Sequence, residues 1–219
     1  MMKERKIRIN TFTLKMIAVV SMLIDHIGAV LFPQNEILRM LGRLAFPIFA
    51  YTLVEGFMHT HDVKKYLMRL GILALLSEIP FDLAFNGTIL ESGHQNVFFT
   101  LFLGILMLYL ALKAPTNLQR IITIVAMLII ADLLCTDYSS MGLLMIFWFY
   151  QFRENKIVKY IGIALINALC MGGIQIYAIL SLIPIALHSG EQGRKCKAFF
   201  YGFYPVHLLV LYFIYLTVL

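Results

Sequence analysis

The chain has 219 residues, 61% of them hydrophobic and 14% charged, with a mean hydropathy of +0.84 and a net charge of +6. Soluble domains run nearer about 45–50% apolar and about 25% charged, so a single water-clothed core is excluded. Disorder is excluded as well, because it needs a polar, charged chain. The composition is that of a polytopic membrane protein.

In chain order, nine apolar segments stand out, near 11–32, 37–58, 66–86, 96–112, 118–135, 138–152, 157–171, 174–188 and 200–218. The first follows Lys3, Arg5, Lys6 and Arg8, as a signal peptide would. Lys15, Asp25 and His26 interrupt it and further hydrophobic segments follow, so it reads as a retained first span. Several later segments reach only about 15 residues, short of the ~17–25 of a full crossing, and the count between 118 and 188 is the loosest.

The basic residues orient the segments. All of the 18 lysines and arginines except Lys15, Arg39 and Arg43 fall in alternate connections: 3–8, 64–69, 113–120, 153–159 and 194–197. The connections near 33–36, 87–95 and 136–139 contain none. This positive-inside asymmetry predicts an all-α transmembrane bundle of nine spans, N-terminus in and C-terminus out, as one domain over 1–219 in the bacterial cytoplasmic membrane. It also gives the net positive charge a topological meaning rather than a nucleic-acid partner. Cys135, Cys170 and Cys196 share no CxxC spacing; two read as helix residues and one as a loop residue, with no disulfide framework and no metal site. HExxH, GxSxG, Walker and CxxCH motifs are absent, which removes support for zinc proteolysis, serine hydrolysis, nucleotide hydrolysis and c-type haem.

An ionisable side chain inside a span costs roughly 2.5–3.5 kcal/mol on insertion scales, so it faces protein or a water-filled cavity. Most such residues lie in the first four spans: Lys15, Asp25 and His26, then Arg39, Arg43 and Glu55, then Glu78 and Asp82, with Asn96 opening the fourth. Beyond them stand Asp132 and His207, with neutral Asn167 and Gln175. Alternating span direction brings Asp25, His26, Arg39, Arg43, Glu78, Asp82 and Asn96 to one outer-leaflet level. Lys15 and His26 are eleven residues apart, within about 20° of one helix face and about 16 Å apart along the axis. Arg39 and Arg43 share a face at i,i+4, as do Glu78 and Asp82. Pro80 between the two acids predicts a kink. A purely structural use is open to each: Lys15 snorkelling to headgroups, and the arginines anchoring to headgroups or pairing with Glu78 and Asp82.

Four stretches, LKMIAVVSMLIDH (14–26), LGRLAFPIFAYTLVEGF (41–57), the 76–85 segment and NVFFT (96–100), resemble the TraX family of integral membrane proteins, in order over the first half of the chain. The second half is similar mainly in hydropathy. The resemblance implies a membrane acetyltransferase that draws on acetyl-CoA, as in the N-terminal acetylation of F-type conjugative pilin. Lys15 and His26 are also similar to the Arg/Lys-x10-His pattern of bacterial membrane O-acyltransferases. On this reading Lys15 contacts CoA, and His26 is the general base or a transient acetyl carrier. Asp25 lies about 100° round the helix from His26; it belongs to the catalytic cluster, but Glu78 or Asp82 is the expected holder of the imidazole. Arg39, Arg43, Asn96 and Thr100 are assigned to the oxyanion or the acceptor. The acceptor is an extracytoplasmic pilin-like N-terminus, a glycan or a lipid head group, with no metal and no nucleic acid.

Two other readings fit the same residues. One is a proton-coupled transporter with Asp25, His26, Glu78 and Asp82 as a relay. The other is a non-catalytic assembly factor in which the charges join helices.

Overall fold

The computed structural model describes residues 8–218; Lys3, Arg5 and Lys6 of the N-terminal basic cluster, and the side chain of Cys170, lie outside the description. All nine apolar segments are helical, and the described residues form only isolated bridges, without a strand. The helices are α1 (Thr11–Val30), α2 (Glu36–Gly42), α3 (Ala45–Met58), α4 (Val63–Asn86), α5 (Val97–Lys113), α6 (Asn117–Leu133) and α7 (Ser139–Gln151). They continue with α8 (Lys156–Leu165), α9 (Leu182–Ala186) and α10 (Lys197–Val218). Short polar side chains set most of the starts: Asn10, Asn35, Asp62, Asn96, Thr116 and Asn155 each accept a hydrogen bond from a first-turn amide that has no intrahelical partner.

The second segment is two helices. Pro47 lies in the first turn of α3, where its missing N–H is harmless, whereas in a continuous helix its ring would meet the carbonyl of Arg43. The break falls at Arg43–Leu44. Pro80 leaves α4 helical on both sides.

The seventh and eighth segments are irregular. α8 passes into a π-helical turn (Ile166–Met171), and Gly172 and Gly173, at φ 59° and 52°, reverse the chain into a 3₁₀ stretch (Gly173–Ser181) before α9. Asn167 Nδ2 donates to the Ile163 carbonyl, and its Oδ1 accepts from Gln175 Nε2, which ties the two limbs together across the reversal.

Among the described residues, three helical stretches are long and apolar enough to cross a bilayer: Thr11–Val30, Glu36–Met58 taken through its break, and Lys197–Val218. α4 has the length but carries Lys64, Lys65, Arg69, Glu78 and Asp82, and α5 and α6 stop at 17 residues each. Cys135, expected in a helix, stands in the turn after α6 at φ 50°; both it and Cys196 are exposed.

α5 is the inner helix, packed against α4, α6 and α7, and α10 closes the bundle against α4 and α1. The core joins Leu14, Phe46, Ile48, Ile105, Met145, Ile146, Phe149 and Ile163. At one end of the bundle the N-terminal segment is stitched to the 187–192 connection, with Ile9 N bonding to Leu187 O (3.0 Å) and Ser189 N to Ile9 O (2.8 Å). Elsewhere the 87–96 and 134–138 connections meet through Gln95 N and Cys135 O (2.9 Å).

Helix association in lipid relies on close van der Waals approach rather than on a hydrophobic drive, and α1 and α2 meet through small residues. A Cβ on Gly28 would stand 2.7 Å from the Leu38 Cβ, and one on Gly42 would overlap the Asp25 carboxylate. Gly42→Ala is expected to lower the thermal midpoint in detergent by the equivalent of about 1–3 kcal/mol. Gly202→Ala, which meets open space on α10, is the control and leaves it unchanged or slightly raised, since alanine is the better helix former. Equal midpoints for the two variants would contradict the α1–α2 contact.

Candidate functional site

Asp25 and His26 follow one another on α1 and therefore face different neighbours, about 100° apart. Asp25 faces α2. Arg39 Nη1 donates to Asp25 Oδ2 at 3.1 Å and to the Asp25 carbonyl at 3.2 Å, while Arg43 Nη2 pairs with Asp25 Oδ1. Arg43 Nε donates back to the Arg39 carbonyl at 3.2 Å, so the i,i+4 pair is locked as a fork. Ser21 Oγ donates to the carbonyls of Leu41 (2.6 Å) and Gly42 (3.1 Å) at the C-terminus of α2. The arginines are therefore partners of Asp25. They form no ion pair with Glu78 or Asp82 among the described residues.

His26 faces α10 and α4. Its Nδ1 lies 2.7 Å from His207 Nε2, the two rings being within 5° of parallel, and His207 Nδ1 donates to the Phe203 carbonyl at 2.7 Å. Both histidines are buried. Phe85 and Tyr204 set their rings edge-on against His26, with centroids at 5.3 and 5.8 Å.

Neither Glu78 nor Asp82 holds the imidazole, contrary to the expectation from sequence. Glu78 Oε2 accepts from the Asn96 backbone N–H at 3.2 Å and from Asn96 Nδ2, and its Oε1 is buried without a partner among the described residues. Asp82 accepts from Glu91 N (2.9 Å) and Asn86 Nδ2 (3.4 Å), which fastens the 87–95 connection to the end of α4. The four groups proposed as a proton relay are thus divided among separate partners. Asn96 is itself used up: Nδ2 also donates to the Ala74 carbonyl at 2.8 Å, and Oδ1 caps α5 at Phe98 N. Thr100 Oγ1 accepts from Tyr138 N at 3.3 Å. Asn96 and Thr100 are fully buried and take no part in the cavity wall, because their polar atoms join α4, α5 and the start of α7.

The groups that converge are Asp25, His26, Arg39 and Arg43. With His94, Asp137, Tyr138 and Tyr204, they line a cavity of about 150 Å³ walled by Phe46, Phe49, Phe81 and Phe85. His94 Nε2 sits 3.2 Å from Asp137 Oδ1 between two connections, and this hydrogen-bonded carboxylate holds the imidazole above its ordinary value. Tyr138 stacks on Phe46 at 3.6 Å and so seats the start of α7 on α3. Sequence reasoning passed over His94, Asp137, Tyr138 and Tyr204. It noted His207 but gave it no role. The available signal was an imidazole in an otherwise uncharged last span.

Lys15 lies outside the cavity, toward the other end of α1. Its Nζ rests over the Phe200 ring, 5.6 Å from the centroid, and Lys197 on α10 is a charged neighbour. At the same end, Thr11 and Tyr51 both bond to His188, at 2.9 and 3.0 Å. Lys159 is buried beneath the rings of Tyr51 and Tyr160 and donates to the Arg153 carbonyl at 3.1 Å.

Comparison with known proteins yields a family model described as TraX protein, which matches residues 11–215. A probable fimbrial assembly protein FimC, serogroup H1, of Dichelobacter nodosus is 31% identical over 95% of this chain and 96% of its own length. An uncharacterized protein of Rickettsia prowazekii (strain Madrid E) is 50% identical over a short stretch, 17% of this chain and 15% of its own. No solved structure matches.

Because His94 binds its proton more tightly when paired with Asp137, the pair's contribution is complete below the unfolded-state value of about 6.5 and is lost as pH rises through the higher folded-state value. The thermal midpoint of His94→Gln should fall below wild type in mildly acid buffer and converge with it in mildly alkaline buffer. A gap that does not change with pH would contradict this pairing.

Proposed function

The chain belongs to the TraX family, and on that footing we propose that it is an integral membrane acetyltransferase. In this reading it moves an acetyl group from cytoplasmic acetyl-CoA to an amine or hydroxyl of an extracytoplasmic acceptor. The observation that carries the reading is the cavity itself: a buried imidazole and a guanidinium pair on one apolar, aromatic wall. A base and an oxyanion stabiliser are the two groups that acyl transfer needs. The fimbrial assembly role in the name of the Dichelobacter nodosus relative favours a pilin-like peptide amine over a glycan or lipid acceptor.

The contacts support the following roles. Lys15, with Lys197 beside it, receives the anionic part of CoA at one end of α1. His26 lies about 16 Å further along the helix, a span suited to an extended carrier whose thioester reaches the cavity. His26 takes the proton of the acceptor N–H or O–H as the acceptor lone pair bonds to the thioester carbonyl carbon. Arg39 and Arg43 face the oxygen that gains charge, and Asp25 offsets part of their charge and fixes their orientation. The C–S bond then breaks, and the proton held by His26 passes to the departing thiolate. Glu78, Asp82, Asn96 and Thr100 support the wall from behind.

The bundle serves this reading as nine passes through the bacterial cytoplasmic membrane, N-terminus in and C-terminus out. The stitching of the N-terminal segment to the 187–192 connection and the pairing of the 87–96 and 134–138 connections both agree with an even number of passes between the joined segments. Orientation is tested on the two exposed cysteines in a Cys170→Ser background. An impermeant maleimide added to intact cells should label Cys135 and spare Cys196, and the reverse pattern would invert the topology.

Calorimetry in detergent with acetyl-CoA tests the activity. Wild type should bind, Lys15→Ala should weaken binding about 10-fold or more, and His26→Ala should leave binding nearly intact. Once an acceptor is found, His26→Ala should cut transfer by about 10²–10⁴-fold, the usual contribution of a positioned base. Absence of binding by folded wild-type protein would remove the reading.

A further inference from the structure

The hydrogen-bond chain through α10 determines which nitrogen of His26 can act. A carbonyl oxygen only accepts, so the 2.7 Å contact with Phe203 O requires the proton of His207 to sit on Nδ1. With both rings neutral, His207 Nε2 then holds a lone pair. The 2.7 Å approach of the two imidazoles needs one hydrogen between them, and His26 Nδ1 has to supply it. His26 is left with its lone pair on Nε2, the nitrogen without a partner among the described residues, in a residue that lines the cavity. The free imidazole side chain in water favours the opposite form, with the hydrogen on Nε2, and a ring in that form would offer the cavity a donor instead of a base.

We propose that His207 is a positioning residue that holds His26 in its Nδ1–H tautomer and so presents the Nε2 lone pair to the acceptor. This deepens the acetyltransferase reading and rests on it for its purpose, though not for its geometry. A carboxylate fills the equivalent position in many hydrolases. Here the candidates for it are engaged elsewhere: Asp25 with two arginines, Glu78 with Asn96, and Asp82 with the 87–95 connection. A neutral imidazole also avoids placing another carboxylate in an apolar wall, where an unpaired charge is costly. The arrangement gives the last helix a part in the cavity wall. α10 brings His207 and Tyr204 to His26, and Phe203 stacks on the His207 ring at 4.6 Å.

The test is made on the full chain in lipid nanodiscs with ¹⁵N-labelled histidine, the His26 resonances being assigned by their loss in His26→Gln. Wild type should show His26 protonated at Nδ1 and bare at Nε2. His207→Phe should return His26 to the Nε2–H form, and His207→Gln, whose side-chain oxygen can accept from Nδ1, should keep the wild-type form. A wild-type His26 already in the Nε2–H form, or one unmoved by His207→Phe, overturns the proposal.

A parallel measurement follows release of labelled acetate from acetyl-CoA with water as acceptor. Release should fall about 10²-fold in His207→Phe and stay within about 10-fold in His207→Gln. Equal release in wild type and His207→Phe, with the tautomer changed, would overturn the positioning role. The expected tautomers with no release from wild type would support the lock at His207 and count against the acetyltransferase reading alone.

Discussion

A carboxylate placed among apolar helices has to be neutralised where it stands, and the arrangement of this protein around Asp25 follows from that need. Two guanidiniums meet the carboxylate from the neighbouring short helix α2 and the break that follows it. Removing one member of such a set leaves an uncompensated buried charge at a cost of several kcal/mol. The geometry is demanding: Gly42 must lack a side chain, Ser21 must bond the end of α2, and the chain must break before Pro47. Once these conditions are met, α1 and α2 are held at a fixed rotation. The residue next to Asp25, His26, then points away from the charges toward α10.

The buried and half-buried polar residues around Asp25 and on α4 and α5 accordingly divide into two kinds of work. Glu78, Asp82, Asn96 and Thr100 spend their hydrogen bonds on joining α4, the 87–95 connection, α5 and α7. Lipid offers an exposed backbone or side-chain polar group no partner, so such ties are the means by which helix ends and irregular connections are satisfied. Asp25, Arg39, Arg43 and His26 remain on the cavity side, and the acyl transfer proposed here places its reacting centre on that second set. His94 and Asp137 join the wall through the connections that border it, so that wall is built from both regular helices and loop residues.

The helices were legible because their signals are local. Runs of apolar residues mark the helical segments, and short polar caps mark the starts of α1, α2, α4, α5 and α6, whereas the break between α2 and α3 fell inside one apolar run. The irregular passage from Ile166 to Ser181 was not legible. Its π and 3₁₀ turns depend on the Asn167–Gln175 bond and on positive φ at Gly172 and Gly173, none of which a hydropathy profile registers. The site was legible in part. Intramembrane charge drew attention to Asp25, His26, Arg39 and Arg43, and these four line one cavity. The same criterion drew in Glu78 and Asp82, because the cost of burial is the same whether a charged residue joins helices or lines a pocket.

By itself, then, the sequence determined the all-helical class, most of the helical segments, the TraX kinship and the grouping of α1 and α2 polar residues. Each of these depends on composition or on neighbours within a few turns. Tertiary structure alone decided which partner each polar group takes. It paired Arg39 and Arg43 with Asp25, turned Glu78 toward Asn96, and set His207, 181 positions away, against His26. Hydrogen bonds select among partners by ångström-scale distance and angle, and those quantities exist only after the helices have packed.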